Sequence, residues 1–276
     1  MQWCTEEQTS GLKMSAKIKE TLFTGKSDFQ DVAVVDSEQF GRMLVLDGVF
    51  QTSIADEFVY HEMIAHIPMY IHPNPKKVLI IGGGDGGTAR EVLRHETVEK
   101  AEMVEIDGLV VDVSKKYLQE ISVVLNNSPK NFELKIGDGI QHMADAEDEY
   151  DVIIVDCSDP IGPGEGLFTH AFYKNVFKAL KVDGLFVQQT ESPFYHQELI
   201  KKIHKDVNSI FPITEMYLAY IPLYPGGMHS FTIGSKKYSS DDAKLDNRQQ
   251  MEMRYHNAEI QKAAFALPNF VKKLIK

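Results

Sequence analysis

The 276-residue chain has only two cysteines, Cys4 and Cys157, and a single tryptophan. Two cysteines cannot build a disulfide framework or a four-cysteine zinc site. A reducing cytoplasmic setting is therefore the default expectation. No apolar run approaches the roughly 20 residues that span a bilayer. The start, Met1–Ser10, is polar and acidic, unlike a secretory signal. Positive charge is also scarce: 29 Lys and Arg face 40 Asp and Glu, for a net −11. Binding a nucleic-acid backbone needs clustered Lys and Arg, so neither nucleic acid nor a membrane is expected as a partner. Internal repeats and low-complexity segments are absent.

What is present is acid, unevenly spread. Residues 1–72 carry 5 basic and 11 acidic groups, residues 73–235 carry 15 and 24, and residues 236–276 carry 9 and 5. The acid sits in the body of the chain, where a site would lie. Solubility is the plain explanation; a cationic ligand is the sharper one.

The first third reads as strands. Val32–Val35 and Met43–Leu46 flank a hairpin, and Asp47-Gly48 turns the chain into a further strand through Gln51. Asp56–Tyr70 reads as a helix with Asp56 at its N-cap. His72-Pro73-Asn74-Pro75 breaks the chain, which divides it into residues 1–72, a small β-hairpin domain with a linking helix, and residues 73–276. Beyond the break, apolar strands at Val78–Ile81, Ala101–Ile106, Phe132–Ile136, Val152–Val155 and Leu185–Val187 alternate with helical stretches. Those stretches are Thr88–Arg94, Val110–Leu125, Phe172–Leu180 and Leu199–Ile210. This order implies an α/β fold with a mostly parallel sheet covered on both faces. Thr214–Tyr220 and Ser230–Ile233 could add edge strands. The tail reads as a polar loop at Asp241–Asp246 followed by a possible helix, without evident chemistry.

The densest signal is Gly82-Gly83-Gly84-Asp85-Gly86-Gly87, directly after a strand. Gly82, Gly84 and Gly87 match G-x-G-x-x-G, and Glu105 follows at the end of the next strand. Together they form a nucleotide-binding fingerprint. Asp85 discriminates among nucleotides. Against a pyrophosphate at 4 Å it would cost about 4 kcal/mol per charge pair at an effective dielectric near 20. An ammonium reverses that sign. Asp85 therefore disfavours NAD and favours a nucleoside with a cationic arm, unless it points to solvent and caps the next helix.

Ligands of an open parallel sheet bind outside the C-terminal strand ends. Each central strand here leads to acid: Asp85, Glu105 with Asp107, Asp138, Asp156 with Asp159, and Glu191. One such residue is ordinarily a helix cap, but five gathered at one edge repel each other without a cation. Pro160–Gly166, rich in Pro and Gly, suits a loop folding over a substrate. Two other patterns carry no chemistry. His61 and His66 resemble a zinc-protease helix, but a spacing of five turns them about 140° apart, and no metal site is expected. Cys157 has no legible histidine partner, so it reads as a small loop residue.

These residues resemble the polyamine aminopropyltransferase family, the spermidine synthases, over essentially the whole chain. The resemblance rests on Leu46–Gln51, Asp56–Met63, Gly82–Gly87, Val104–Asp107, Asp138-Gly139, Tyr150–Asp156 through Gly162-Pro163, and Tyr224–Gly227. It implies a small N-terminal β-domain beside a Rossmann-like, methyltransferase-type domain. It implies a reaction in which decarboxylated S-adenosylmethionine, a co-substrate rather than a cofactor, gives its aminopropyl group to putrescine. The products are spermidine and methylthioadenosine, and the implied assembly is a homodimer or homotetramer. The resemblance places Gln51, His61, Gly82, Gly84, Asp85, Glu105, Asp138 and Gly139 on the nucleoside side. It makes Asp156 the base, and it puts Tyr60, Asp159, Glu191 and Tyr224 with Asp85 and Asp156 around the amine. Two departures are Cys157 for a usual Ser, and Met228-His229 where a Trp often follows the glycine.

Three other classes stay open from sequence: an NAD(P)-dependent oxidoreductase, a methyltransferase using S-adenosylmethionine, and a silent binding module. Asp85 speaks against the first two and the complete acid set against the third.

Overall fold

A computed structural model of the chain describes residues 2–160, 162–245 and 251–276. Its first five strands are β1 (Gln2–Thr9), β2 (Leu12–Lys26), β3 (Asp31–Ser37), β4 (Gly41–Leu46) and β5 (Val49–Ser53). They form one antiparallel sheet in chain order. The hairpin expected at Val32–Leu46 is β3–β4, while β1 and β2 extend the sheet beyond the sequence reading.

Helix α1 (Glu57–Ile71) follows. Asp56 holds the N-cap position but its side chain does not cap. Its carboxylate accepts the Ser53 hydroxyl at 2.6 Å and the Leu223 N–H at 2.7 Å. All residues of α1 except Phe58 are buried, as expected of a helix enclosed on every side. The sequence reading groups α1 with the N-terminal strands; its packing is onto the larger sheet, beside α2 (Gly87–Val92).

That sheet contains β6 (Lys77–Gly82), β7 (Lys100–Glu105), β8 (Phe132–Ile136), β9 (Tyr150–Asp156), β10 (Leu180–Gln189), β11 (Ile213–Tyr220) and β12 (Met228–Ser235). Their order is β11-β12-β10-β9-β6-β7-β8. β8, β7, β6, β9 and β10 run parallel, and β12 and β11 pair antiparallel. Hence β11 is an edge strand, whereas β12 lies between β11 and β10. The period of two along the strands splits the core. Val78, Ile80, Val152 and Ile154 pack toward α1, whereas Leu79, Ile81, Ile153 and Val155 pack on the opposite face. The connections include α3 (Gly108–Tyr117), α4 (Val123–Asn127), α5 (Gly139–Asp145), α6 (His170–Ala179) and α7 (Gln197–Asn208).

Two corrections follow from these elements. The single helix expected at Val110–Leu125 is two, α3 and α4, because the chain breaks at Leu118–Ser122. The break presents the buried Ser122 hydroxyl to the Asp85 carbonyl, at 2.8 Å. Helix α5 was not anticipated at all; its N-cap is Asp138. Of the expected polar loop Asp241–Asp246, Asp246 lies outside the described residues, and Ser240–Asp242 forms a short 3₁₀ turn. The tail is helical in α8 (Ala258–Ala263) and α9 (Asn269–Leu274). It docks through the buried Glu62 carboxylate, which accepts N–H bonds from Arg254, Tyr255 and His256. Among the described residues, no helix is long and apolar enough to cross a membrane.

The small sheet packs against the large domain beside the strand ends. Val32, Val34, Leu44 and Leu46 meet Val110, Val113, Leu118 and Ile121. Asp107 pins the junction: one oxygen caps α3 at Leu109, and the other accepts from Ser27 at 2.7 Å and Gln30 at 2.9 Å.

Candidate active site

The chain passes from β6 to β8 on one side of the sheet and restarts at β9 on the other. The resulting switch point lies between β6 and β9, where Gly82 and Asp156 are register partners. A cavity of about 140 Å³ opens there. A second, of about 40 Å³, adjoins it and shares Gln51, Tyr60, Cys157, Ser158 and Tyr224 as a common wall. Every site residue anticipated from sequence lines one or both. Gln51, Tyr60, His61, Gly82, Gly84, Asp85, Glu105, Asp138, Gly139, Asp156 and Tyr224 face the larger cavity. Asp159 and Glu191 face the smaller. Asp107 is the exception among the strand-end acids, being turned into the domain junction.

The glycine loop is shaped by close approach. Gly82 has φ +82°, and a Cβ there would lie 2.1 Å from the Asp156 carbonyl oxygen. At Gly87 a Cβ would sit 2.2 Å from the His61 ring. Neither position admits a side chain. Asp85 is buried; one oxygen accepts the Gly87 N–H at 2.8 Å, and the other lies 3.3 Å from His61 Nε2. It therefore both ties down the start of α2 and faces the site.

Asp156 ends β9. Its Oδ1 accepts the Tyr60 hydroxyl and its Oδ2 the Thr88 hydroxyl, each at 2.7 Å. Burial and the Asp85 charge raise its pKa, against the lowering pull of His61 and the two hydroxyls. Burial, and the Asp156 charge with it, pushes the Tyr60 phenol well above its ordinary value, so it stays a donor. Glu105 is pushed up to about 7, chiefly by burial, although it accepts the Asp107 N–H at 2.9 Å. Asp138 accepts the Ile140 N–H at 2.7 Å and so caps α5 at the cavity rim.

The smaller cavity is a nest of acid. Burial, then the neighbouring Asp159, holds the Glu191 carboxyl well above its usual range. Glu191 has φ +66°, a left-handed conformation that is uncommon for such a side chain, and its buried Oε1 has no hydrogen-bond partner. Its Oε2 lies 3.8 Å from His196. A third carboxylate enters from the small sheet: Glu6 of β1 is buried, accepts the Phe50 N–H at 2.8 Å, and is raised to about 7 by burial, with Asp159 adding to it. Gln189 wires this floor together. It donates to the Cys157 carbonyl at 3.0 Å and accepts from the Glu191 N–H at 3.1 Å. Its Oε1 also lies 2.9 Å from His229 Nε2. Burial lowers His229 to about 3, so that ring is neutral and donates to Gln189. It packs edge-on to Tyr224 with centroids 5.0 Å apart, supplying an aromatic wall where the resemblance leads one to expect Trp.

Sequence reasoning missed Glu6, Gln30, Thr88, Ser122 and Gln189 as contributors, and marks His229 only as a departure from the family pattern. For Glu6 a signal existed: alternation along Gln2–Thr9 puts Cys4, Glu6 and Gln8 on one face. The rest are brought to the site only by folding. The loop expected to cover a substrate contributes Gly164 to the larger cavity, and Leu167 just beyond it lines the cavity too; Ile161 within the loop lies outside the described residues. His61 and His66 part as expected. His61 contacts Glu57 and Asp85, whereas His66 contacts Glu91 at 3.0 Å and His95 at 2.8 Å. Burial, with carboxylates nearby, raises the Cys157 thiol far above its usual value, which keeps it protonated as a small loop residue.

Residues 57–244 match the family described as "Spermine/spermidine synthase domain", and residues 2–53 match the "Spermidine synthase tetramerisation domain". The chain is 54% identical over 274 residues to a polyamine aminopropyltransferase of Caldicellulosiruptor bescii, covering 99% of this chain and 98% of that protein. It is 52% identical over 274 residues to that of Bacillus cytotoxicus, covering 99% of each. Among solved structures, a spermidine synthase in complex with the transition state analogue AdoDATO superposes with TM-score 0.96 at 42% identity, over 99% of this chain and 94% of that one. The spermidine synthase of Thermotoga maritima gives 0.95 at 42%, over 100% and 94%.

Proposed function

This chain belongs to the spermine/spermidine synthase family, and from that premise we propose that it transfers the aminopropyl group of decarboxylated S-adenosylmethionine to putrescine. The observation that carries this reading is the pair of adjoining acid-lined cavities, whose walls, among the described residues, include no Lys or Arg. Such a container suits two cationic substrates. The nucleoside occupies the larger cavity, its ribose on Glu105, its base near Asp138 and its ammonium on Asp85. Putrescine occupies the smaller, with its distal ammonium among Asp159, Glu191 and Glu6.

An alkylammonium titrates near 10.4, so putrescine arrives without a free lone pair. Asp156 accepts a proton from the near amine, while Tyr60 and Thr88 keep the carboxylate in place. The freed nitrogen attacks the aminopropyl carbon next to sulfur. The carbon–sulfur bond breaks, its electron pair stays on sulfur, and neutral methylthioadenosine leaves without an acid. A positioned base contributes about 10²–10⁴-fold, and alignment of the amine with the breaking bond adds to it. No further cofactor enters this scheme.

The assembly proposed is a homodimer or homotetramer through the small sheet. Its edge strand β1 carries Trp3 at 54% exposure. The location proposed is cytoplasmic, where the two free cysteines stay reduced. The chain is likewise proposed to divide into residues 1–72 and 73–276, with α1 at the end of the first part packed on the sheet of the second. The test of function is a product assay with decarboxylated S-adenosylmethionine and a panel of di- and triamines. Spermidine and methylthioadenosine in equal amounts are expected with putrescine. Methyl transfer from S-adenosylmethionine instead would overturn the assignment.

A further inference from the structure

Among the described residues that line the larger cavity, His61 alone has a side chain that can carry positive charge. Its ring is buried between two carboxylates, with Nδ1 at 2.5 Å from Glu57 and Nε2 at 3.3 Å from Asp85. The two contacts are not equivalent. Glu57 is also bound by Arg90 at 2.8 Å, a pairing that keeps it ionised; His61 and Arg90 outweigh burial and hold Glu57 down at about 2. The Nδ1 proton is therefore fixed. Among the described residues no second cation pairs with Asp85, which lines the cavity. The other groups facing the ring are Asp156 across the cavity and Tyr60 on the same helix, while the Gly87 backbone closes one side of the ring. Glu105 lines the same cavity from the end of β7.

We propose that His61 is a ligand-linked proton reservoir: in the empty site it is an imidazolium that balances Asp85, and it releases its Nε2 proton to solvent when a nucleoside with a cationic arm binds. Burial pulls the imidazole down, but Asp85 and Glu57 together outweigh it and hold the ring well above its ordinary value in the empty site. An ammonium placed on Asp85 takes over the imidazolium's role and repels it. Loss of the Nε2 proton removes that repulsion and leaves a lone pair facing the same ammonium. Glu57 and Arg90 are positioning residues in this scheme, since they dictate which nitrogen gives up its proton. The inference rests on the functional reading above.

Calorimetry of nucleoside binding in buffers of different ionisation enthalpy counts the protons exchanged. With decarboxylated S-adenosylmethionine near neutral pH, about one proton should be released, and affinity should rise with pH by up to about tenfold per unit. Methylthioadenosine has the same ribose and base but no charged arm, so any proton exchanged at Glu105 appears with it too, and it should release about one proton fewer; this difference separates His61 from Glu105. His61→Gln should bind the cationic nucleoside with near-zero release, whereas Asp156→Asn should retain it. In the wild-type protein, nitrogen chemical shifts of the His61 ring should change from doubly to singly protonated on binding, a readout that needs no variant. Binding without release, or release that persists in His61→Gln and vanishes in Asp156→Asn, overturns the proposal alone. Absence of binding by either nucleoside overturns the functional reading and the proposal with it.

Discussion

Thr88 offers a direct measure of how the fold sets the strength of the base. Its buried hydroxyl donates to Asp156 Oδ2 at 2.7 Å, and Tyr60 donates to Oδ1 at the same distance. Both bonds favour the ionised carboxylate, in opposition to burial and Asp85. A hydrogen bond to a charged group contributes about 1.5–3 kcal/mol. At about 1.4 kcal/mol per unit, that corresponds to about one to two pKa units. Thr88→Val keeps the shape of the side chain and removes the donor. The acid limb of the kcat/KM profile should therefore move up by about one to two pH units, with much less change on the plateau above it. The limb reports Asp156 together with the charged groups around it, so its displacement is the quantity to read. Initial rates of methylthioadenosine formation across pH supply the profile, and a thermal melt confirms that the variant is folded. A folded variant whose acid limb coincides with that of the wild type refutes the argument that these hydroxyls set the basicity of Asp156.

Asp156→Asn should lower turnover by about 10²–10⁴-fold while nucleoside affinity stays near that of the wild type; near-normal turnover would remove Asp156 as base. Asp85→Asn should narrow the preference for decarboxylated over ordinary S-adenosylmethionine, whose extra carboxylate Asp85 repels, as competition binding would show. Glu6→Gln should raise the amine KM by about tenfold or more, the loss of one charge-assisted contact, without altering methylthioadenosine affinity; an unchanged amine KM would place Glu6 outside the amine site. Stability should also fall in acid. The Glu57 carboxyl is depressed from 4.5 to about 2 by His61 and Arg90 against the cost of burial. Its contribution, about 3 kcal/mol, is present above about pH 4.5 and lost as pH falls toward 2. Urea unfolding of Glu57→Gln should lack that part of the pH dependence.

The parts legible in the sequence share a physical basis. Gly82–Gly87 follows an apolar run and precedes a helix, so its place and spacing are legible locally, although the close approaches that require its glycines, to the Asp156 carbonyl and the His61 ring, are made by remote segments. Glu105, Asp138 and Asp156 stand at strand ends, and the period of the apolar runs exposes those ends without any tertiary knowledge. Val110–Leu125 misled because its apolar spacing fits one continuous helix, and nothing local announces that Ser122 is needed at the Asp85 carbonyl. The strand β2 is largely polar, with few buried positions among Leu12–Lys26, so its alternation is weak. With β1 and β2 unread, Glu6 had no place near Asp159, more than a hundred residues away in the chain.

Sequence alone therefore determined the class of chemistry: a parallel α/β sheet, a glycine turn with an acid inside it, and carboxylates at one edge that demand a cationic partner. Those features depend on neighbours along the chain. Tertiary structure decided how the acids are tuned. It placed Thr88 and Tyr60 on the two oxygens of Asp156, buried His61 between Glu57 and Asp85, and closed the smaller cavity with Glu6 from another sheet. Burial and charge–charge distance set these pKa values, and both arise only when segments remote in sequence are packed together.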